Sequence, residues 1–106
     1  MFRIVYSTVG TDYNAKIIAK NLIESRLAAC VNIIPNISSY YIWNDQLQND
    51  NELIMIIKII KDNTEAVINK IKEFHDAENP AIICFDITNG SQDFLNWIEN
   101  ISIIQK

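Results

Sequence analysis

The hydrophobic positions along the chain switch between the short period of strands and the longer period of helices. Phe2 to Val9 is rich in aromatic and β-branched residues and ends at Gly10, which predicts a strand closed by a turn. Apolar positions then recur three and four residues apart, which predicts a helix over about 13–27 that Asp12 caps. Its buried face is expected to consist of Ala15, Ile18, Ala19, Leu22 and Ile23.

The next two predicted strands form a hairpin. The extended segment Cys30 to Tyr41 contains Pro35, which predicts a bulge, a break or a sheet edge, because proline has no N–H to donate. Trp43 to Gln46 is expected to turn the chain, since Asn and Asp tolerate positive φ. The returning strand, Glu52 to Lys61, is apolar on both faces. Such a strand is usually covered on both sides, and we expect part of that cover to come from another subunit.

A second helix, a fourth strand and a last helix complete the pattern. Asp62 to Thr64 supplies capping residues for the second helix, which ends before Pro80. Ala81 to Thr88 is typical of a buried strand, and Ser91 is expected to cap the last helix. The apolar tail Ile103–Ile104 predicts a docked chain end. The buried helix faces are expected to be Val67, Ile68, Ile71 and Phe74, then Phe94, Leu95, Ile98 and Ile101.

This order of elements predicts an α+β fold with one domain over residues 1–106. A βαββαβ order followed by a C-terminal helix is that of a ferredoxin-like fold, an antiparallel sheet with helices on one face. The second sheet face would then stay bare. An Ile-rich bare face exceeds the few hundred Å² of apolar patch that a monomer usually exposes, so the pattern predicts self-association.

Composition and charge narrow the function classes. The chain has 106 residues, of which 49% are hydrophobic and 21% charged, which excludes intrinsic disorder. A net charge of −4 argues against nucleic acid as a partner, because phosphate binding requires clustered Lys and Arg. No apolar run approaches the roughly 18 residues of a membrane-spanning helix, so no membrane partner is expected. The start does not resemble a signal peptide, which predicts a cytoplasmic protein with reduced thiols.

His75 is the one histidine and the first candidate for metal chemistry. Asp76 and Glu78 follow it directly, so this loop offers an imidazole and two carboxylates to a divalent cation. The alternative is a histidine at a helix C-terminus, where the helix dipole favours its protonated form.

Lys58 interrupts the apolar strand and has three interpretations. It holds an anion, pairs with a carboxylate such as Glu52, or protects an edge strand against aggregation. Cys30 and Cys84 match no zinc signature. We expect buried structural thiols, with a catalytic Cys–His pair as the alternative.

The aromatic residues around the hairpin form another candidate site. Trp43 and Trp97, together with Tyr40 and Tyr41, either line a pocket or pack in a core or an interface. No activated nucleophile is recognisable, and the two arginines are not in a phosphate-loop context. The chain is therefore predicted not to be an enzyme.

The segment from Leu27 to Trp43, LAACVNIIPNISSYYIW, closely resembles the CutA family of divalent-cation tolerance proteins. The similarity continues at Glu52, Ile57, Lys58, His75, Glu78, Pro80, Ile87 and Gly90, and closes with Phe94 to Ile98. The resemblance implies a ferredoxin-like protomer in a cytoplasmic homotrimer that is similar in shape to PII signalling proteins. The long hairpin would mediate sheet pairing between subunits.

The resemblance also implies a function, tolerance of copper and other divalent cations. His75 and Glu78 would be the metal ligands, and Lys58, Trp43 and Cys30 would line clefts between subunits. The chain departs from a bacterial member at Ser7 and Phe74, where that member has a thiol and a histidine, and at Asn44-Asp45, where a glycine is usual. The alternative function is a PII-like signalling trimer that binds a small anion or nucleotide in these clefts and regulates a partner protein.

Overall fold

The computed structural model describes residues 1–103 and contains four strands and three α-helices in that range. The chain forms β1 (Phe2–Val9), α1 (Asp12–Glu24), β2 (Cys30–Trp43), β3 (Gln46–Ile60), a 3-10 turn (Lys61–Asn63), α2 (Thr64–Phe74), β4 (Ile82–Ile87) and α3 (Gln92–Ile101). Of the tail expected to dock, Ile104 lies outside the described residues. Ile103 donates its backbone N–H to the carbonyl oxygen of Arg26 at 3.0 Å.

The sheet has the strand order β2-β3-β1-β4, and every neighbouring pair is antiparallel. Because side chains alternate between faces along a strand, one face of β1 and β3 carries the main core against α1 and α2. This core includes Val5, Val9, Ala15, Ile18, Leu22, Met55, Ile57, Ile59, Val67 and Ile71. The predicted α+β fold with its antiparallel sheet is confirmed.

The C-terminal helix α3 packs on the opposite sheet face, so the expectation that this face stays bare is wrong at one end. Phe2 lies between Ile60 and Ile87 across the sheet, and these three neighbouring apolar side chains require cover. Ile98 of α3 supplies it and is fully buried. Phe94, which was expected to be buried, is 45% exposed and stacks on Trp97 with ring centroids 5.7 Å apart.

The remainder of this second face, which we call the open face, is apolar and exposed. Tyr6 pairs with Ile56 and Ile83, so these side chains form one row across the sheet. Ile83 and Phe85 on β4 are both 52% exposed, so the expectation of a buried fourth strand is wrong in the single chain. Side chains alternate between the two sheet faces along β4. Cys84, between Ile83 and Phe85, therefore faces the core, and Ile83 and Phe85 face solvent in the single chain.

Several boundaries differ from the sequence prediction, and three of the differences have a cause in the local backbone. Thr11 caps α1, because its Oγ1 accepts from the backbone N–H of Asn14 at 3.1 Å, whereas Asp12 is the first helical residue. The helix ends at Glu24, shortly before Arg26 takes a φ of 59°. Strand β3 begins at Gln46, because Asn44 and Asp45 with φ of 52° and 60° complete a tight two-residue turn. The polar residues before Glu52 thus belong to a long hairpin.

Pro35 interrupts the ladder between β2 and β3, as predicted. The register shifts between Ile34 and Ile37, and Asn36 takes a φ of 62°. Strand β2 is also an edge of the sheet. Two of the predicted alternatives, a bulge and an edge strand, therefore occur together, since a proline is tolerated at both.

Candidate functional site

A cleft of about 680 Å³ lies between the long hairpin and the loop that follows α2. The hairpin contributes residues 39–43 and Glu52, and the loop contributes His75 and residues 77–81. Thr8, at the end of β1, completes the lining. Trp43, His75 and Glu78, which the sequence pointed to separately, thus line one cavity.

The bulge at Pro35 determines which hairpin side chains share a face with Glu52. Before the bulge, Cys30 lies opposite Lys58, and after it Tyr41 lies opposite Gln48. Directly opposed residues share a sheet face, so the extra residue moves the odd-numbered positions of β2 onto the open face. Tyr41 and Trp43 therefore share the face of Glu52.

The loop wall of the cleft is fixed to α1 by a buried amide. Asn14 is only 3% exposed. Its Nδ2 donates to the carbonyl oxygen of Phe74 at 2.8 Å, and its Oδ1 accepts from the backbone N–H of Asp76 at 3.1 Å. Both ends of one side chain thus hold the segment on either side of His75. Sequence reasoning missed Asn14, because a polar residue in the first turn of a helix is normally a surface residue.

His75 uses both of its ring nitrogens within the chain. Nδ1 accepts from the backbone N–H of Ala77 at 2.9 Å, and Nε2 lies 2.8 Å from the carbonyl oxygen of Thr8. Since a carbonyl oxygen only accepts, Nε2 carries the proton and the ring is the neutral Nε2–H tautomer. His75 therefore fastens the loop to the end of β1 and presents no unused lone pair to the cleft.

The charged groups of the cleft are acidic. Glu52 and Glu78 contribute two carboxylates, and no lysine or arginine lies among the lining residues of the described chain. Within residues 1–103 neither carboxylate forms an ion pair. Beside the cleft, the Tyr41 hydroxyl donates to the Asp50 carboxylate, and this hydrogen bond raises the pKa of Tyr41. The cleft thus attracts cations.

Lys58 and Cys30 lie away from this cleft, toward the other end of the hairpin. They are directly opposed, with Lys58 Nζ 3.7 Å from Cys30 Sγ, and the ammonium donates to Asn32 Oδ1. Of the three interpretations of Lys58, an ion pair with Glu52 is wrong, because six strand residues separate Lys58 from Glu52 by about 20 Å. That Lys58 and Cys30 line a cleft between subunits stays a prediction.

The second thiol, Cys84, lies on the helix-covered face of β4. It is opposite Val5 and packs against the main core, and burial raises the pKa of its thiol. His75 bonds Thr8 and Ala77, which does not favour the alternative of a Cys–His pair. Both cysteines are free thiols.

The residues of one described chain do not form a complete metal centre. Within residues 1–103 no group of three or more His, Cys, Asp or Glu side chains is arranged to hold an ion. Ser7, which stands where a bacterial member has a thiol, is fully buried, and its hydroxyl has no hydrogen-bond partner in the described part of the chain. A hydroxyl is a poorer ligand than a thiolate for soft cations.

The architecture defines the class: a ferredoxin-like α+β protein with a projecting two-stranded hairpin and an acidic, aromatic cleft. The family model of the CutA1 divalent ion tolerance protein matches residues 3–101. The chain therefore belongs to the CutA1 divalent ion tolerance family.

Individual relatives agree over most of the chain. The chain is 35% identical to the divalent-cation tolerance protein CutA of Thermus thermophilus, covering 92% of this chain and 95% of that protein. It is 36% identical to the chloroplastic protein CutA of Arabidopsis thaliana over 92% of its length but spans only 53% of that relative. The crystal structure of CutA1 from Oryza sativa is similar, with a TM-score of 0.95, 34% identity and coverage of 98% of this chain and 95% of that one. No helix in residues 1–103 is long and apolar enough to cross a membrane.

Proposed function

We propose that this protein serves divalent-cation tolerance by binding copper or another divalent cation weakly, as a cytoplasmic homotrimer and without catalysis. The observation that carries the proposal is the cleft itself, in which Glu52 of the hairpin and Glu78 of the loop line one cavity beside His75. Carboxylates without ion-pair partners in the described chain attract a hydrated cation. The names of the relatives, divalent-cation tolerance proteins, agree with this role.

The chemistry of the carboxylate and imidazole ligands in the cleft determines which cation it favours. Carboxylate and water ligands suit Mg²⁺, Ca²⁺ and Mn²⁺, whereas copper prefers imidazole and thiolate. A metal at His75 Nδ1 has to displace the N–H of Ala77. We therefore expect carboxylate-dependent, weak binding, with His75 as a ligand only where the loop rearranges.

The open face supports self-association. Ile34 is 43% exposed and Phe85 is 52% exposed, on a sheet face that α3 covers at one end only. A second copy would remove this apolar surface from water. The number of three subunits follows from the family resemblance.

The proposed cytoplasmic location and the proposed absence of catalysis each rest on one observation. The free thiols Cys30 and Cys84 suit a reducing compartment such as the cytoplasm. Binding without catalysis agrees with the contacts of His75, which are to backbone groups rather than to a nucleophile.

Lys58 favours a second candidate function, the PII-like signalling trimer. Among the described residues its ammonium contacts the amide of Asn32 and the thiol of Cys30 but no carboxylate. An ammonium without a counter-charge on an apolar face attracts a small anion, once a second subunit encloses it. A nucleotide that raises the melting temperature, with loss of the effect in Lys58→Met, would favour this function.

Calorimetric titration tests the main proposal. Mn²⁺, Zn²⁺ and Cu²⁺ are titrated separately into the wild-type protein and into Glu52→Gln, Glu78→Gln and Glu24→Gln. Glu24 is exposed on α1 and outside the cleft, so Glu24→Gln is the control for the loss of one charge. We expect the two cleft variants to weaken binding and the control to leave it unchanged. Equal binding by all four proteins would refute the cleft as the cation site.

A further inference from the structure

We propose that Cys30 is a site of reversible modification, where its thiol forms a mixed disulfide with a small disulfide that carries carboxylate groups, and where the ammonium of Lys58 selects this class of reagent. The site lies on the open face, about 20 Å along β3 from Glu52. It includes none of the residues that line the cleft. The modification therefore does not depend on the proposed cation function.

Cys30 and Lys58 form a pair across the ladder between β2 and β3. The two residues are directly opposed, and Lys58 Nζ donates to Cys30 Sγ at 3.7 Å. The same ammonium donates to Asn32 Oδ1, two residues further along β2. This second hydrogen bond keeps the ammonium beside the sulfur. A nucleophilic atom and a cationic group thus lie next to each other on one face of the sheet.

The positive charge of Lys58 is not neutralised by a carboxylate of the described chain. Within residues 1–103 Lys58 forms no ion pair. Its neighbours on the open face are apolar, with Ile4 and Phe85 in the same row across the sheet and Ile56 and Ile60 on either side along β3. An ammonium without a counter-charge attracts an anion. A carboxylate on an incoming disulfide would therefore be drawn to the position beside the thiol.

The second thiol has different surroundings. Cys84 packs against the main core, and burial raises the pKa of its thiol, so less of it is the reactive thiolate at neutral pH. The charges near Cys84 are mixed, since Arg3 lowers this pKa whereas Glu65 and Asp86 raise it. Cys30 belongs to neither buried cluster. We therefore expect a preference for anionic reagents at Cys30 only.

The modification is a thiol–disulfide exchange. The thiol of Cys30 loses its proton to water, and the thiolate attacks one sulfur of the small disulfide. A new S–S bond to Cys30 forms as the original S–S bond breaks, and the other half leaves as a thiolate that takes up a proton. Cys30 is oxidised and the leaving half is reduced, so no further oxidant is needed. An excess of a small thiol reverses the reaction.

Three small disulfides of similar size test the preference for negative charge. Dithiodipropionate has two carboxylates, cystamine has two ammonium groups, and hydroxyethyl disulfide is neutral. Each is added in excess at neutral pH to Cys84→Ala, in which Cys30 is the only thiol, and adduct formation is followed by intact-mass spectrometry. Each rate is divided by the rate of the same disulfide with N-acetylcysteine amide. We expect the normalised rate to be highest for dithiodipropionate and lowest for cystamine.

Variants then assign this preference to Lys58. Lys58→Met is expected to slow dithiodipropionate about fivefold relative to the neutral disulfide, which corresponds to one ion pair in water. Lys58→Arg keeps the charge and is expected to keep the preference. Lys20→Met, at an exposed position of α1, is the control for the loss of one charge and is expected to change nothing. A general change in the reactivity or exposure of Cys30 would alter all three rates together, so the ratio of rates separates the effect of charge from a structural effect.

Circular dichroism checks that each variant folds. If Cys84→Ala is unfolded, peptide mapping of the wild-type adducts gives the rate at Cys30 separately from the rate at Cys84. Three results would overturn the inference: an unreactive Cys30 in the folded protein when the chain unfolded in urea reacts, equal normalised rates for the three disulfides, or an unchanged preference in Lys58→Met. None of these results alters what the calorimetric titrations show about Glu52 and Glu78, so the two proposals fail separately.

Discussion

His75 donates from Nε2 to the carbonyl oxygen of Thr8 across 2.8 Å, while its Nδ1 accepts from the backbone N–H of Ala77. One imidazole thus joins the end of β1 to the loop that forms a wall of the cleft. The lone pair that a metal ion requires is already used by Ala77. In the single chain, the position is that of a structural histidine.

The first prediction concerns the stability that His75 provides. We expect His75→Ala to lower the free energy of unfolding by about 1–3 kcal/mol, because it removes two hydrogen bonds, to Thr8 and to Ala77, that contribute about 0.5–1.5 kcal/mol each. Urea unfolding at neutral pH measures this change. Long-range ¹H–¹⁵N spectra should show the Nε2–H tautomer. Wild-type stability in the variant, or a proton on Nδ1, would contradict the structural role.

The second prediction concerns the bulge that orients Tyr41 and Trp43. Asn36 has a φ of 62°, a conformation that glycine adopts freely and β-branched residues avoid. We expect Asn36→Val to destabilise the protein by roughly 1–2 kcal/mol and Asn36→Gly to be nearly neutral, measured by urea unfolding. Asn51→Val, at an exposed and regular position of β3, is the matched control. Equal loss in both valine variants would show that the strained φ is not the cause.

The fold was predictable from the sequence because its signals are local and repeated. The order of elements and the two apolar faces of β3 were sufficient to predict the antiparallel α+β domain. The face that α3 covers was not predictable, because an amphipathic stripe does not specify its partner. Phe94 shows this, since it lies on the apolar stripe of α3 and remains 45% exposed.

The site was predictable only in part, because it depends on which residues of β2 and β3 lie opposite each other. Trp43, His75 and Glu78 could be singled out by residue type, and the structure brings them to one cleft. The bulge at Pro35 was foreseen, but its exact residue determines whether Tyr40 or Tyr41 shares the face of Glu52. A shift of one residue reverses every side chain beyond it. The three interpretations of Lys58 could not be separated for a similar reason, since its contacts with Cys30 and Asn32 depend on the register of the opposite strand.

The third prediction concerns acid stability. The hydrogen bond and the charge of Arg3, 2.8 Å away, hold the pKa of Asp86 below its ordinary value of 3.8. A carboxyl group with a lowered folded-state pKa stabilises the protein above its unfolded pKa, and this contribution is lost as the pH falls through the lowered value. We expect Asp86→Asn to melt below the wild type at pH 7 and the two curves to converge below about pH 3.

Thermal unfolding between neutral and acidic pH measures this difference. The control is Asp93→Asn on α3, since within residues 1–103 Asp93 has no ion-pair partner. Asp86 is well exposed, so the effect should be small and should shrink with added salt. A melting difference that persists at low pH would contradict the expected direction of the pH dependence.

The fourth prediction concerns the open face. Phe85 is 52% exposed beside Ile83, which is equally exposed, on a sheet face without further cover in the described chain. If a second copy covers this surface, burying it supplies the driving force for association. A lysine at position 85 would then have to leave water on assembly, which costs several kcal/mol without a partner. We expect Phe85→Lys to dissociate the oligomer.

Sedimentation velocity over a range of protein concentrations distinguishes the outcomes. The wild type should sediment as an oligomer at micromolar concentration and Phe85→Lys as a monomer. Tyr13→Lys, on the outer side of α1 where Tyr13 is 76% exposed, replaces an aromatic ring with the same charge and should leave the oligomer intact. A monomeric wild type would show that the open face stays exposed to solvent and does not drive association. An oligomeric Phe85→Lys would instead place the contact elsewhere. The outer edges of β2 and β4, which pair with no strand within residues 1–103, are then the surfaces to test.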